Sequence, residues 1–319
     1  MSRSFAIARI IGGVRRPASL PDDLASGPFT VRAAADQGIS RGRLRSSDLG
    51  RPTRSVYAAN PPTALHERAA AFALALPDHV AFSHSTAAAL WGLPLPRRLE
   101  DHTLLHVIGN TRHGAVERAG CQSHRGAENR RVVQHGGLAL TSLADTWCDV
   151  GAFGRARCSV DDLVVLADAI LGPPGARAGE LRADLLETLT SRVRPRGKRM
   201  LLAALDLARA GSASAMESRA RLVFHWGGLP EPELNAEVSF EAGGWMLRGD
   251  FVWREQRVIA EYQGVHHADR RRLSDDVHRR YLATDEGWRY VEFFAEDVFQ
   301  EFRRAQLLAR LRVALGLRW

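Results

Sequence analysis

The stretch Leu247-Arg248-Gly249-Asp250-Phe251-Val252-Trp253-Arg254-Glu255-Gln256-Arg257-Val258-Ile259-Ala260-Glu261-Tyr262-Gln263 decides how the last third of the chain reads. Two short apolar runs, Asp250 to Trp253 and Val258 to Tyr262, flank the polar tetrad Arg254 to Arg257. Aromatic and β-branched residues on either side of a short polar loop predict an antiparallel hairpin. With the tetrad as the loop, Trp253 pairs with Val258, and counting back sets Asp250 opposite Glu261. Directly opposed residues hold their Cβ atoms about 4.5–5.5 Å apart, and like charges there repel. A divalent cation bound by oxygen ligands would reconcile the two carboxylates. Strand alternation turns Gln263 to the same face as Glu261. A solvated hairpin fits the same residues, with Asp250 capping a turn after Gly249 and Glu261 paired to an arginine. A one-residue slip would send the carboxylates to opposite faces. Spacing alone leaves both readings open.

Working outward, 319 residues suffice for two or three domains, each with a core. Apolar content of 45% and charged content of 25% predict an ordinary globular protein. No apolar run reaches the length of a membrane span. Arg9 interrupts the one candidate signal-peptide core, so a cytoplasmic location is expected. Cys121, Cys148 and Cys158 form no CxxC pair and are odd in number, which argues against a disulfide framework or a structural zinc site. The net charge of +8 is uneven. Residues 1–60 hold ten arginines and four aspartates, whereas residues 212–319 hold sixteen basic and seventeen acidic residues. Attraction for a polyanion is therefore expected at the front, with carboxylates at the back.

Phe29 to Gln37 predicts a short helix with Thr30 as its cap. Gly38 breaks it, and Ser40 caps a second helix, Arg41 to Leu49, bearing Arg41, Arg43 and Arg45. Arg51 to Tyr57 then reads as a strand pair, giving a helix-turn-helix with a wing. Further on, helices are expected at Thr63–Leu76, Thr86–Trp91, Val160–Leu171, Gly179–Ser191 and Lys198–Ala210, with strands at His102–Ile108 and from Leu138. The histidines of this middle part, His79, His84, His102, His106, His113 and His124, are scattered in sequence and read as ordinary surface or core residues rather than metal ligands. No GxxxxGK[ST], GxGxxG or GxSxG occurs, so nucleotide-cradling loops and a serine-hydrolase elbow find no support. Beyond Gly211-Ser212 the order is helix, three strands, helix, strand, helix. Ser214 caps the first of these helices, and Glu217 three residues later completes a capping box.

Two resemblances bear on this layout. Phe29-Thr30, Gly38-Ile39-Ser40 and Val56-Tyr57 are similar to the winged-helix domain of abortive-infection-type antitoxins. Ser83-His84-Ser85-Thr86-Ala87-Ala88 and Leu140-Thr141-Ser142-Leu143-Ala144-Asp145-Thr146 resemble the middle domain of those proteins. Glu217, Gly249-Asp250-Phe251, Glu261-Tyr262-Gln263-Gly264 with His266-His267, and Asp276, Arg279 and Gly287-Trp288 resemble the very-short-patch-repair-like nucleases of the PD-(D/E)XK restriction-endonuclease-like superfamily.

The resemblances imply an α/β (α+β) fold: a mixed sheet flanked by helices over residues 212–319, behind a winged helix at 1–60 and a mixed middle domain at 61–211. They imply a Mg²⁺- or Mn²⁺-dependent DNA endonuclease using metal-activated water. Asp250 and Glu261 take the ligand positions, Glu217 the helix carboxylate and His266 an assisting role. Gln263 stands where the superfamily usually has lysine, and a neutral amide can only hydrogen-bond. DNA is the implied partner, no membrane is involved, and a homodimer stays open. The competing class is a non-catalytic DNA-binding regulator with an inactive nuclease-like domain. A toxin–antitoxin fusion is a third reading.

Overall fold

The computed structural model describes residues 17–239, 246–264, 281 and 284–317. His266, His267, Asp276 and Arg279 lie outside them, as does most of the helix expected at 274–286. At the front, α1 (Asp22–Ala25) precedes β1 (Phe29–Thr30) and α2 (Val31–Asp36). The Thr30 hydroxyl accepts from the Ala33 amide at 3.1 Å, the expected cap, and Gly38 ends the segment at φ 74°. The expected strand pair is present as β2 (Gly50–Thr53) and β3 (Val56–Ala58), with β3 between β1 and β2 in a three-stranded antiparallel sheet.

The second helix is not present. Arg41 to Leu49 forms one 3₁₀ turn, Arg43–Arg45. The turn is capped at Gly42 without a side-chain bond, and the Ser40 hydroxyl, the expected cap of a longer helix, accepts from the Arg43 amide at 3.2 Å. Gly42, Ser46, Ser47 and Asp48 follow, residues that lose entropy in a helix or compete for its backbone bonds. Arg43 also reaches forward to Asp48 instead of standing on a helix face.

After α3 (Leu65–Ala73) the chain builds a mixed sheet from β4 (Ala81–Phe82), β5 (Leu105–Gly109), β6 (Cys121–Arg125), β7 (Val132–His135) and β8 (Leu138–Thr141). Its order is β6-β5-β4-β8-β7, with the short α4 (His84–Leu90) leaving the end of β4. A helical layer follows: α5 (Leu143–Gly151), α6 (Val160–Leu171), α7 (Ala176–Ser191) and α8 (Lys198–Leu207). Ser142 and Ser159 cap α5 and α6 through the Asp145 and Asp162 amides. Trp147, Leu163, Leu166, Leu185 and Leu201 fill the core of this layer. At Gly197, φ 76°, a Cβ would collide with the Gly151 carbonyl, so only glycine admits the close approach of the α8 start to the α5 end.

The last sheet holds β9 (Glu233–Ser239), β10 (Met246–Trp253), β11 (Val258–Tyr262) and β12 (Arg289–Phe293), in the order β12-β11-β10-β9. β9, β10 and β11 are antiparallel neighbours, and β12 runs parallel to β11. Trp253 pairs with Val258 and Phe251 with Ala260, the register expected from the polar tetrad. One face packs Phe251, Trp253, Ala260 and Phe293 against Phe224 of α9 (Ala215–Trp226) and Leu307 and Leu311 of the closing helix α11 (Glu301–Leu315), which follows α10 (Ala295–Phe299). The other face carries Val238, Val252 and Ile259 with Trp288 and Tyr290.

The architecture is α+β, with mixed or antiparallel sheets flanked by helices. No described helix is long and apolar enough to cross a membrane. Helix α9 serves two cores: Ala220 and Phe224 face the last sheet, and Leu222 joins the helical layer. Arg221, 1% exposed, bonds Asp168 of α6 at 3.0 Å, and Asp168 is itself fully buried.

Candidate functional site

Asp250 sits where the hairpin departs from a regular ladder. One step beyond the Phe251–Ala260 pair the register sets it opposite Glu261. Here its side chain replaces a ladder bond: Oδ2 accepts from the Tyr262 amide at 2.9 Å. On its other flank Asn235 of β9 has φ 49°. Gly249 is required beside it, because a Cβ would lie 2.8 Å from Ile259 Cγ2 and 2.9 Å from Val252 Cγ2. Burial pushes the Asp250 carboxyl up to about 6; the Tyr262 amide opposes this and the charge of Glu217 adds to it. Glu217 and Asp250 are thus brought within electrostatic reach.

Glu217 is firmly held. Its Oε2 accepts from the Ala213 amide at 2.8 Å and from Asn235 Nδ2 at 2.5 Å, and its Oε1 accepts from the Ser214 hydroxyl at 2.9 Å. Ser214 caps the helix through the Glu217 amide as expected, but the return bond from Glu217 goes to the Ala213 amide rather than that of Ser214, and Asn235, which sequence reasoning passed over, ties Glu217 to β9. Glu261 pairs with Glu292 across β11 and β12, and alternation from Ile259 sets it on the face of the smaller apolar cluster. Gln263 shares that face and donates from Nε2 to Glu292 Oε1 at 2.9 Å. Among the described residues, Glu217, Asp250 and Glu261 do not draw together into a three-ligand set.

At the front, Arg41 and Arg45 are exposed, whereas Arg43 is committed to the protein. Its guanidinium donates to both Asp48 oxygens at 2.9 and 2.8 Å and from Nε to the Ala18 carbonyl at 2.6 Å. Arg43 therefore holds the loop together, and Arg41 and Arg45 are the exposed members of the trio.

The histidines need a second correction. His84, His106 and His124 are not scattered: one ring nitrogen from each lies within 4.8 Å of the others. The strand order β6-β5-β4 explains this, since His124 stands on β6, His106 on β5 and His84 on the residue two beyond β4. His106 Nδ1 faces His124 Nε2 at 2.8 Å, and the His84 and His124 rings stack at 3.6 Å. Burial lowers the pKa of all three; His84 falls well below the usual histidine value and His106 to about 4. No sequence motif marks them, because 22 and 18 residues separate positions that only sheet pairing joins.

Comparison with known proteins follows from this fold. The chain is 31% identical over 287 residues to the uncharacterized proteins MT2308 and Rv2248 of two Mycobacterium tuberculosis strains, covering 85% of this chain and 97% of theirs. It belongs to the family of these mycobacterial proteins. No model of a known protein family matches the chain. The crystal structure of RV2827C protein from Mycobacterium tuberculosis shares 13% identity over 67% of this chain and 83% of that one, with a TM-score of 0.37, too low to carry an argument.

Proposed function

We propose that the protein is a divalent-metal-dependent DNA endonuclease that hydrolyses phosphodiester bonds, acting in the cytoplasm. The observation that carries this reading is Asp250: a largely buried carboxyl with Glu217 as a like-charged neighbour, placed where β10 and β11 cease to pair regularly and raised to about 6. Arg248 offsets this only in part, and an all-oxygen donor set fits a hard ion such as Mg²⁺ or Mn²⁺. Asp250 and Glu261 would hold it, with Glu217 beside them. When bound, the ion polarises the phosphate and lowers the pKa of water. The Tyr262 amide fixes the rotamer of Asp250, and the cap at Ser214 and Asn235 fixes Glu217. Gln263, held by Glu292, offers a hydrogen bond where a lysine would offer charge. The helix, three antiparallel strands and a parallel fourth strand support the resemblance to restriction-endonuclease-like domains. Arg41 and Arg45 would contact the duplex backbone.

A second reading, a DNA-binding regulator with an inactive site, is favoured by the full engagement of Glu217 in its cap and by the neutral Gln263. Nicking of supercoiled plasmid with Mg²⁺ or Mn²⁺, set against EDTA and against Asp250→Asn, separates the two. Metal-dependent nicking lost in the variant supports the enzyme. Duplex binding without nicking selects the regulator.

A further inference from the structure

We propose that His84, His106 and His124 form a binding site for a zinc-class divalent transition-metal ion, whose open coordination position faces a cavity suited to an oxyanion. The site is independent of the carboxylates of the hairpin. Two of its donors stand on the paired strands β5 and β6 and the third begins α4 just after the neighbouring β4, so the backbone that carries them is fixed before any ion arrives. Their nitrogens lie within 4.8 Å of one another. Zinc–nitrogen bonds of about 2.0–2.1 Å in tetrahedral geometry ask for roughly 3.4 Å, a difference that small ring rotations cover.

The ring of His84 is oriented as a ligand's would be. Its Nδ1 lies 3.0 Å from the Ser83 hydroxyl, leaving Nε2 for another partner. Metal-bound histidines characteristically engage their second nitrogen in this way. His84 has φ 52°, an uncommon conformation for a residue with a Cβ. It is held by the Ser83 amide on the His106 carbonyl at 3.0 Å and the His106 amide on the Thr86 hydroxyl at 2.8 Å.

The competing explanation is a cluster of neutral aromatic rings serving only as core. It gives no reason for three imidazoles from separate segments to bring ring nitrogens within 4.8 Å of one another beside an arginine-lined cavity.

The cavity supplies the second half of the inference. It encloses about 690 Å³ and is bounded by His84 and His124 on one side and by Arg125, Arg130, Arg192 and Arg196 on others. Asp149 is its one acidic lining residue, and its charge is already engaged by Arg130 and Arg192 at 3.0 and 2.8 Å. The Nε of Arg192 is buried without a partner. Three imidazoles leave a fourth position on zinc for an outside ligand, and arginines prefer phosphate or carboxylate oxygens. Imidazole donors also select zinc, cobalt, nickel or copper over magnesium, which keeps this site chemically apart from an all-oxygen one.

The test uses the tag-free full-length chain, stripped with chelator and reloaded with Co²⁺ as a spectroscopic stand-in for zinc. Expected are one retained ion per chain, visible bands of tetrahedral cobalt that Zn²⁺ abolishes, and a change in those bands on adding inorganic phosphate. His106→Ala/His124→Ala should weaken retention about a hundred-fold or more, since even the loss of supporting contacts costs 10–100-fold. The milder His124→Gln, checked for native circular dichroism, guards against a folding defect and should change the bands. Absent retention and absent bands in the wild type overturn the metal site, as does undiminished retention in a folded histidine variant. Unchanged bands with phosphate overturn the oxyanion half. Asp250→Asn should leave cobalt retention untouched; loss of cobalt there would place the ion at the hairpin and overturn this assignment.

Discussion

Replacing Asp250 by Asn probes the hairpin site through stability before any catalysis is measured. Burial raises the folded carboxyl from the ordinary aspartate value of 3.8 to about 6, so the native state binds its proton more tightly than the unfolded chain. The stabilisation this gives is fully present below about pH 4 and is lost as pH rises through about 6. That rise in pKa corresponds to about 3 kcal/mol, an upper value because the group keeps some contact with solvent. Asn has no titrating proton, and its Oδ1 still accepts from the Tyr262 amide. Urea unfolding of both proteins between pH 4 and 8 should show the wild type losing about 2–3 kcal/mol relative to the variant over that interval. Millimolar Mg²⁺ at pH 8 should restore much of the difference in the wild type alone, because a ligand that binds only the folded state stabilises it. Parallel pH curves would refute the buried-carboxylate reasoning. A pH-dependent difference that Mg²⁺ leaves unchanged would keep the burial and sink the cation.

Charge reversal of Arg41 and Arg45 together should cut duplex affinity and reduce the salt slope by nearly two units, read by fluorescence anisotropy across a salt series. Arg43→Ala should instead cost about 1–2 kcal/mol of stability through the lost bidentate bond to Asp48 and leave the salt slope unchanged. Gly249→Ala should destabilise by roughly 1–3 kcal/mol, because its Cβ meets Ile259 and Val252 at 2.8 and 2.9 Å; a neutral urea midpoint would show that the hairpin is looser than described. Arg221→Met should cost about 3–5 kcal/mol by stranding Asp168, and an unchanged urea midpoint would contradict that.

The hairpin register was legible because a polar tetrad between two apolar runs admits few pairings, and Trp253–Val258 is the one found. Helix α6 was read to both ends from its apolar run and the Gly172-Pro173-Pro174-Gly175 break; the Ser159 cap that fixes its start is seen in the structure. The front failed where local chemistry conflicted. Ser40 announces a helix, yet Gly42 and the Ser46-Ser47-Asp48 run cannot sustain one, and Arg43 finds a better partner in Asp48. Asn235 was missed because its role depends on a left-handed φ beside Glu217, which no spacing rule exposes. The histidine cluster was missed for a topological reason. His106 was placed on an expected strand and His84 just ahead of an expected helix, Thr86–Trp91, but only the sheet order makes them neighbours.

The buried pair of Arg221 and Asp168 has a consequence for how the chain is made. Asp168 is shielded from water by α6 and its neighbours, and the cation that bonds its carboxylate lies 53 residues later in the sequence. During synthesis from the N-terminus, the helical layer emerges first and must carry this carboxylate unpaired, or protonated, until α9 leaves the ribosome. Final closure of that layer therefore waits on the start of the last sheet's own helix. A protein cut after residue 211 should expose a sticky, acid-stabilised face, and the remaining piece, begun at residue 212, would present Leu222 to solvent with Arg221 left to Glu231 alone. The two halves behave as a lock delivered in sequence, in which the second part arrives already carrying the key to the first.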